Sequence, residues 1–224
     1  MEKITMLVLD CETNGLTTNY SVLSASAIKF EYDKESKQCT ILSEFDRYYY
    51  PKERYYNENA IRVNGLTEKI ITEKRKGVKY AEFFTDDKDW DQYIEDVDYF
   101  IGHNLIMFDS KFMLDNRLKY EPKDLICTML ENVEEVKAEF PYSYYNDYPE
   151  ARYKWPTLLE TAIHYNIILN KKELHSSLYD CEITLEIFKK MIEKELIVIW
   201  KSKIFLEIYK KKRKIGHSLI PILV

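Results

Sequence analysis

Apolar residues in this chain come in short runs, and their period shifts along its length. Met6-Leu7-Val8-Leu9 sits inside residues 4–10 and reads as a central, buried strand. Residues 20–32 alternate loosely (Val22, Ser24, Ser26, Ile28, Phe30) and read as a second strand. Residues 41–50 read as a third, ended by Pro51. The polar stretch Lys34 to Lys37 between them reads as a turn, so the second and third strands are expected to form a hairpin.

Beyond Pro51 the pattern becomes mixed. Asn57 to Val63 predicts a short helix closed by Gly65. Residues 79–95 predict a helix with Phe83, Phe84, Trp90 and Ile94 partly on one side. A fourth strand is expected at 98–103, a helix at 109–118 and a short fifth strand at 125–127. Helices follow at about 128–138, 157–166 and 177–195. Strands first, then strand alternating with helix, predict an α/β fold with a mixed sheet.

Composition narrows the class. A chain of 224 residues is expected to form one domain with a core large enough to stand without staples. Hydrophobic content of 46% and charged content of 32% suit a globular protein. The net charge of −5 argues against a broad basic surface for gripping long duplex DNA. It leaves room for a nucleic-acid substrate if several acids are neutralised by metal. Cys11, Cys39, Cys127 and Cys181 form no Cys-x-x-Cys pair, so zinc and a disulfide framework are not expected. A reducing, cytoplasmic setting is expected, or a nuclear one if the source is eukaryotic. Cys11 and Cys181 read as small buried residues facing away from any metal. The N-terminal apolar run is too short for a signal peptide, and no run approaches the ~20 residues of a membrane span.

Three acidic blocks carry the candidate chemistry. Asp10-Cys11-Glu12 ends the first strand, with the two acids two residues apart and so on one face. Asn104 to Asp109 follows the fourth strand, and His175 to Asp180 opens the last helix. Sites in such sheets form beyond the carboxyl ends of the central strands. Four carboxylates gathered there demand cations, and hard oxygen ligands suit Mg²⁺ or Mn²⁺. Two such ions ~4 Å apart clamp the attacking and leaving oxygens of a phosphoryl displacement.

The blocks resemble the DEDD exonuclease superfamily, in its DnaQ-like proofreading branch. Leu9-Asp10-Cys11-Glu12-Thr13-Asn14-Gly15-Leu16 matches Asp-x-Glu-Thr-x-Gly-Leu. Gly102-His103-Asn104-Leu105-Ile106-Met107-Phe108-Asp109 matches His-Asn-x-x-x-Phe-Asp. His175-Ser176-Ser177-Leu178-Tyr179-Asp180 matches His-x-Ala-x-x-Asp, with Ser177 for Ala as a small-for-small change. Val63-Asn64-Gly65-Leu66-Thr67 is a weaker match in which Asn64 replaces a common His, so a substrate contact from that position is in doubt. A His five residues before Asp180 marks the His branch (DEDDh); the Tyr branch would need Tyr at 176.

The resemblance implies a ribonuclease-H-like, five-stranded mixed sheet flanked by helices. It implies a DnaQ-like exonuclease domain over 1–196, followed by a helical, basic tail over 197–224. The expected ligands of two divalent ions are Asp10, Glu12, Asp109 and Asp180, with His175 as general base, since an imidazole titrates close to neutral pH. The expected substrate is a nucleic-acid 3′ end, DNA before RNA, and the product a 5′-nucleoside monophosphate. Thr13, Asn14, Gly15 and Leu16 form the expected loop against the terminal nucleotide; a plain turn with a core Leu is the alternative. Asn64, Asn104 and Phe108 complete the candidate substrate contacts, although Asn104 also suits a turn and Phe108 a core position.

Two rivals to a DNA exonuclease stay open: an RNA-trimming exoribonuclease, and a silent module that binds nucleic acid or a polymerase. The intact quartet and its His argue against silence. Any polymerase partner would be a separate chain, and no membrane is expected. The Tyr-rich stretch 142–155 suits base stacking or packing under a loop. Lys210 to Lys214 suits a solvated helix end, a phosphate contact or a nuclear address, and the apolar end 219–224 suits docking.

Overall fold

The computed structural model of the chain describes residues 3–114, 124–141, 152–170 and 173–197. Five strands form one sheet in the order β3-β2-β1-β4-β5. β1 (Lys3–Thr13), β2 (Val22–Asp33) and β3 (Gln38–Tyr48) run as an antiparallel meander. β4 (Tyr99–Gly102) and β5 (Asp124–Cys127) add in parallel on the other side of β1. This is the mixed sheet that the strand-first pattern predicts, with the turn at 34–37 in place.

β1 is apolar on both faces because both are covered. Met6 and Val8 pack with Ile28 and Phe30 against Cys181, Leu185 and Phe188 of the long helix near the end of the described chain. Leu7, Leu9 and Cys11 pack on the opposite side with Phe45, Trp90 and Phe100. The indole Nε1–H of Trp90 donates to the Met113 carbonyl at 3.0 Å, so this large buried ring leaves no orphan donor.

Between β3 and β4 lie α1 (Glu58–Asn64), α2 (Glu68–Lys74), a 3₁₀ turn (Phe84–Asp86) and α3 (Lys88–Tyr93). α1 is capped by Asn57 and closed by Gly65 at φ +69°, as the sequence predicts. α2 is not anticipated from the sequence; it buries only Ile71, too little to write an apolar period. The helix expected over 79–95 is corrected to the short turn and α3. Asp87 interrupts it: this buried residue caps α3 by accepting from Asp89 N at 3.1 Å and also binds Arg47 and Tyr49.

α4 (Asp109–Met113) follows β4, and the rest of the helix expected to 118 lies outside the described residues. The expected 128–138 helix is two one-turn pieces, α5 (Thr128–Glu131) and α6 (Val133–Val136), parted at buried Asn132, whose Nδ2 donates to the Thr128 carbonyl at 2.7 Å. α7 (Leu158–His164) starts with a capping box between Thr157 and Glu160. α8 (Ser177–Glu193) is buried on two sides: Leu185 and Phe188 meet the sheet, while Ile183, Ile187 and Met191 meet Ala162 and Tyr165 around α7.

The topology leaves a notch at one end of the sheet. Pairing of β1 with β4 ends at Val8 and Ile101, so Asp10 and Glu12 extend past β4. The chain then folds back over β1 at Gly102. A Cβ there would lie 3.0 Å from Leu105 Cβ and 3.1 Å from the Leu9 carbonyl. A side chain there would have to push Leu105 or the Leu9 carbonyl back by a few tenths of an ångström, so glycine suits this close approach.

Candidate active site

Asp10 and Glu12 leave β1 on the face covered by α8, because they keep the register of Met6 and Val8. Asp109 comes from the first residue of α4 and Asp180 from the first turn of α8; both are buried. Three elements far apart in sequence therefore deliver the four expected carboxylates to one end of the sheet. His175 lies just before α8, exposed, at φ +67°. One ligand atom each of Glu12, His175 and Asp180 lies within 4.8 Å of the others.

The electrostatics show what such a cluster costs. Burial, then Asp109, Asp180 and Glu12, push the Asp10 carboxyl well above its ordinary value. Burial and the neighbouring acids Asp180 and Asp109 push Glu12 up to about 8. Burial is also the main cause that lifts Asp109 and Asp180 to about 7 each. Among the described residues no basic side chain offsets this repulsion at hydrogen-bond distance. Asp180 Oδ1 is buried without a hydrogen-bond partner. An orphaned buried carboxylate oxygen within a cluster of acids is a donor set that divalent cations complete, so these residues fit the expected metals.

Neighbours hold each acid in place. Asp109 Oδ1 accepts the Cys11 backbone N–H at 3.2 Å and the Cys11 thiol at 3.4 Å. Cys11 is buried on the face opposite Asp10 and Glu12, and from there its thiol supports Asp109. Cys181 faces the core, where its thiol donates to the Ser26 carbonyl at 3.4 Å. Asn64 donates to the Thr13 carbonyl at 3.2 Å and its side chain also reaches Glu12, opposing the rise in that carboxyl. The position that lacks the common His thus braces an acid.

The loop after the acids is built from within. Thr13 Oγ1 donates to the Gly15 carbonyl at 2.6 Å. Asn14 is fully buried; its Nδ2 donates to the Tyr55 carbonyl and its Oδ1 accepts from Asn57 N, each at 2.8 Å. The Asn14 amide is thereby committed to the chain. Gly15 lies under the Tyr20 ring, where a Cβ would come to 2.5 Å. Leu16 stands out at 59% exposure, so it is not a core Leu.

In the second block, Asn104 adopts φ +71° and its carbonyl accepts from Phe108 N at 3.0 Å, which makes it a turn residue. Its side-chain Oδ1 is nevertheless buried without a partner. Phe108 is half-buried against Phe112, with ring centroids 4.9 Å apart. His103 is pinned between Thr128 Oγ1 and the Pro156 carbonyl at 3.0 Å each, and burial pushes its imidazole down to about 4. It is a neutral brace between β4, α5 and the approach to α7. Most of the Tyr-rich stretch, and the tail from residue 198 on with its basic run, lie outside the described residues.

Sequence reasoning passed over one group here. Ser24, Ser26 and Ser177 are buried, and their hydroxyls meet beneath the acids. The signal is present in β2, where two serines at i and i+2 interrupt an otherwise apolar face.

Comparisons with known proteins bear on the family and the fold. The RNase_T family model, described as Exonuclease, matches residues 7–188. No curated protein matches the chain in sequence. Among solved structures, E. coli Exonuclease I in complex with a dT13 oligonucleotide is similar at a TM-score of 0.59 and 17% identity, over 84% of this chain and 41% of that one. Exonuclease I from Methylocaldum szegediense is similar at 0.59 and 18%, over 85% and 40%. A full-length 3′-exonuclease is similar at 0.55 and 14%, over 88% and 62%. The chain thus spans about two fifths of the length of the Exonuclease I structures, and at these identities the likeness is one of fold.

Proposed function

The chain belongs to the exonuclease family whose model covers residues 7–188, and from that premise we propose that it is a metal-dependent 3′–5′ exonuclease. Its substrate is the single-stranded or frayed 3′ end of DNA, and it releases 5′-nucleoside monophosphates. The observation that carries this reading is the gathering of Asp10, Glu12, Asp109 and Asp180 into one mutually repelling cluster, partly to fully buried, beside His175.

Asp10, Glu12, Asp109 and Asp180 would hold two divalent ions, Mg²⁺ or Mn²⁺. When bound, these supply positive charge for the phosphate and make the attacking water more acidic. The remaining work belongs to the chain. His175 takes the proton of the water as its oxygen attacks phosphorus. The P–O3′ bond breaks; the shortened strand keeps the 3′-oxygen, which takes a proton from solvent to become a hydroxyl, and the released nucleotide keeps the phosphate. The exposed position of His175 lets it reach a substrate and pass the proton to solvent. Leu16, on a loop anchored by Asn14, lies against the terminal base.

DNA is favoured because E. coli Exonuclease I, whose fold is similar, is solved with a dT13 oligonucleotide. The test is degradation of matched labelled DNA and RNA strands, with free and blocked 3′ ends, with Mg²⁺, Mn²⁺ or EDTA. Metal-dependent release of mononucleotides from free DNA ends supports the reading. Faster release from RNA would make the chain an exoribonuclease, and no release with either metal would make it a silent binding module.

A further inference from the structure

We infer that Ser24, Ser26, Ser177 and Asp46 form a one-way hydrogen-bond chain that positions Asp180 and His175 against Asp10 and Glu12. The inference rests on the metal site proposed above and adds positioning residues to it.

Register places the chain directly under the site. Ser26 pairs with Asp10 and Ser24 with Glu12 across the β1–β2 ladder. Residues paired across such a ladder point to the same face, which here is the face covered by α8. Ser177, the first residue of α8, reaches down between them. Its Oγ meets Ser24 Oγ and lies 2.7 Å from Ser26 Oγ. Ser26 Oγ in turn donates to Asp46 Oδ1 on β3 at 2.7 Å.

The direction of the chain follows by counting protons. Each hydroxyl has one hydrogen to give. The Asp46 carboxylate accepts only, so Ser26 spends its hydrogen there. Ser177 must then donate to Ser26, and Ser24 to Ser177. All three serines are buried, whereas Asp46 is an exposed residue of the sheet's edge strand. One surface carboxylate therefore sets the orientation of three hydroxyls inside the protein.

The start of α8 depends on this chain. Ser176, its N-cap, makes no side-chain cap and instead reaches the Tyr48 hydroxyl on β3. The first turn is thus tied sideways to β2 and β3. Asp180 follows within that turn, and its Oδ1 has no partner of its own, while His175 directly precedes the tied residues. Losing the tie lets the α8 carboxylate drift from the β1 carboxylates, and shared ligation tolerates little drift.

Calorimetric titration of the full chain with Mn²⁺, with a thermal melt of each variant, tests this without relying on turnover. Ser177→Ala and Asp46→Ala should each weaken Mn²⁺ binding by roughly tenfold, the lower end of what losing a residue behind a metal ligand costs. Asp46→Asn keeps an acceptor oxygen and should bind nearly as the unaltered protein does. Leu185→Ala, a core cavity farther along α8, should lower the melting temperature and leave Mn²⁺ binding unchanged. Asp46 is exposed, so its variants fold even if Ser177→Ala does not. Unchanged binding in Asp46→Ala and Ser177→Ala overturns the inference, as does equal weakening in Leu185→Ala. Absence of Mn²⁺ binding in the unaltered protein overturns instead the metal site on which it rests.

Discussion

Cys11 gives Asp109 two hydrogen bonds at a single oxygen, its backbone N–H at 3.2 Å and its thiol at 3.4 Å. The middle residue of the Asp10–Glu12 pair thus links β1 to α4. Both bonds oppose the rise that burial imposes on this carboxyl.

Cys11→Ser should preserve this link and Cys11→Ala should weaken it. The backbone bond survives either change. A side-chain hydrogen bond contributes about 0.5–1.5 kcal/mol, so alanine should weaken Mn²⁺ binding by about two- to tenfold, with serine close to the unaltered chain. Equal metal affinity in all three, by calorimetry, would show that the thiol contributes nothing to Asp109.

Removing a ligand should abolish activity yet stabilise the metal-free protein. Asp180→Asn takes away one charge from a cluster in which burial and like charge both disfavour ionisation. In EDTA at about pH 8 its melting temperature should rise, while nuclease turnover with Mg²⁺ should fall by several decades, because a ligand is lost. Asp10→Ala should show the same loss of turnover. Full turnover in either variant would remove these residues from the reaction.

The pH dependence of stability follows from the same carboxylates. Their folded values, about 8 for Glu12 and about 7 for Asp109 and Asp180, lie above the ordinary carboxylate range near ~4. Between those limits the folded chain binds more protons than the unfolded one, so unfolding is favoured as pH rises. Metal-free protein should therefore be most stable on the acidic side of this window and lose stability toward pH ~8. Saturating Mn²⁺ should flatten that loss, because cations favour the ionised forms. A melting temperature in EDTA that climbs from about pH 5 to about pH 8 would contradict the assigned shifts.

Much of this arrangement is legible in the amino-acid order. Met6 to Leu9 announces β1 because apolar side chains fill both faces, and the three blocks stand at the ends of elements that its position orients. The hairpin is equally plain, since Lys34 to Lys37 is a polar break between two strand-like runs. Less legible are contacts that depend on depth. Asn14 looks like a substrate contact from its motif, yet its amide is committed to Tyr55 and Asn57, which lie 41 and 43 positions away. The 79–95 segment has helix-like spacing, but Asp87 is held by Arg47 and Tyr49 and cuts the helix short. Ser177 looks like a neutral exchange for Ala until the register of β2 puts two more hydroxyls beneath it.

His175→Ala should separate proton transfer from metal binding. General-base help is worth roughly 10²–10⁴ in rate, and turnover should fall by that order. The four carboxylates remain, so the Mn²⁺ affinity should change little. A titration that instead shows lost binding would make His175 a ligand, a role its place within 4.8 Å of Glu12 and Asp180 atoms also permits.

The exposed Leu16 should make the enzyme sensitive to how the 3′ end is paired. The loop that carries it is fixed from below: Thr13 bonds Gly15, Asn14 is clamped to Tyr55 and Asn57, and Gly15 lies under the Tyr20 ring. Leu16 is therefore an apolar side chain, 59% exposed, next to a loop base that is fixed. A terminal base that leaves its stack can lie against it, whereas a paired base must first unstack and unpair, at a cost of a few kcal/mol by analogy with base extrusion. The net charge of −5 provides no general attraction for duplex that would offset this cost. Rates should rank single strand above mismatched end above paired end, and the gap should narrow on warming as ends fray. Leu16→Ala should lower the rate on single strands several-fold, mainly through KM, and leave Mn²⁺ affinity unchanged. Gly15→Ala should do the same by displacing Tyr20 and with it the loop. If blunt paired DNA is degraded as fast as single strands in the cold, or if Leu16→Ala keeps full activity on every end, the loop does not contact the terminal base.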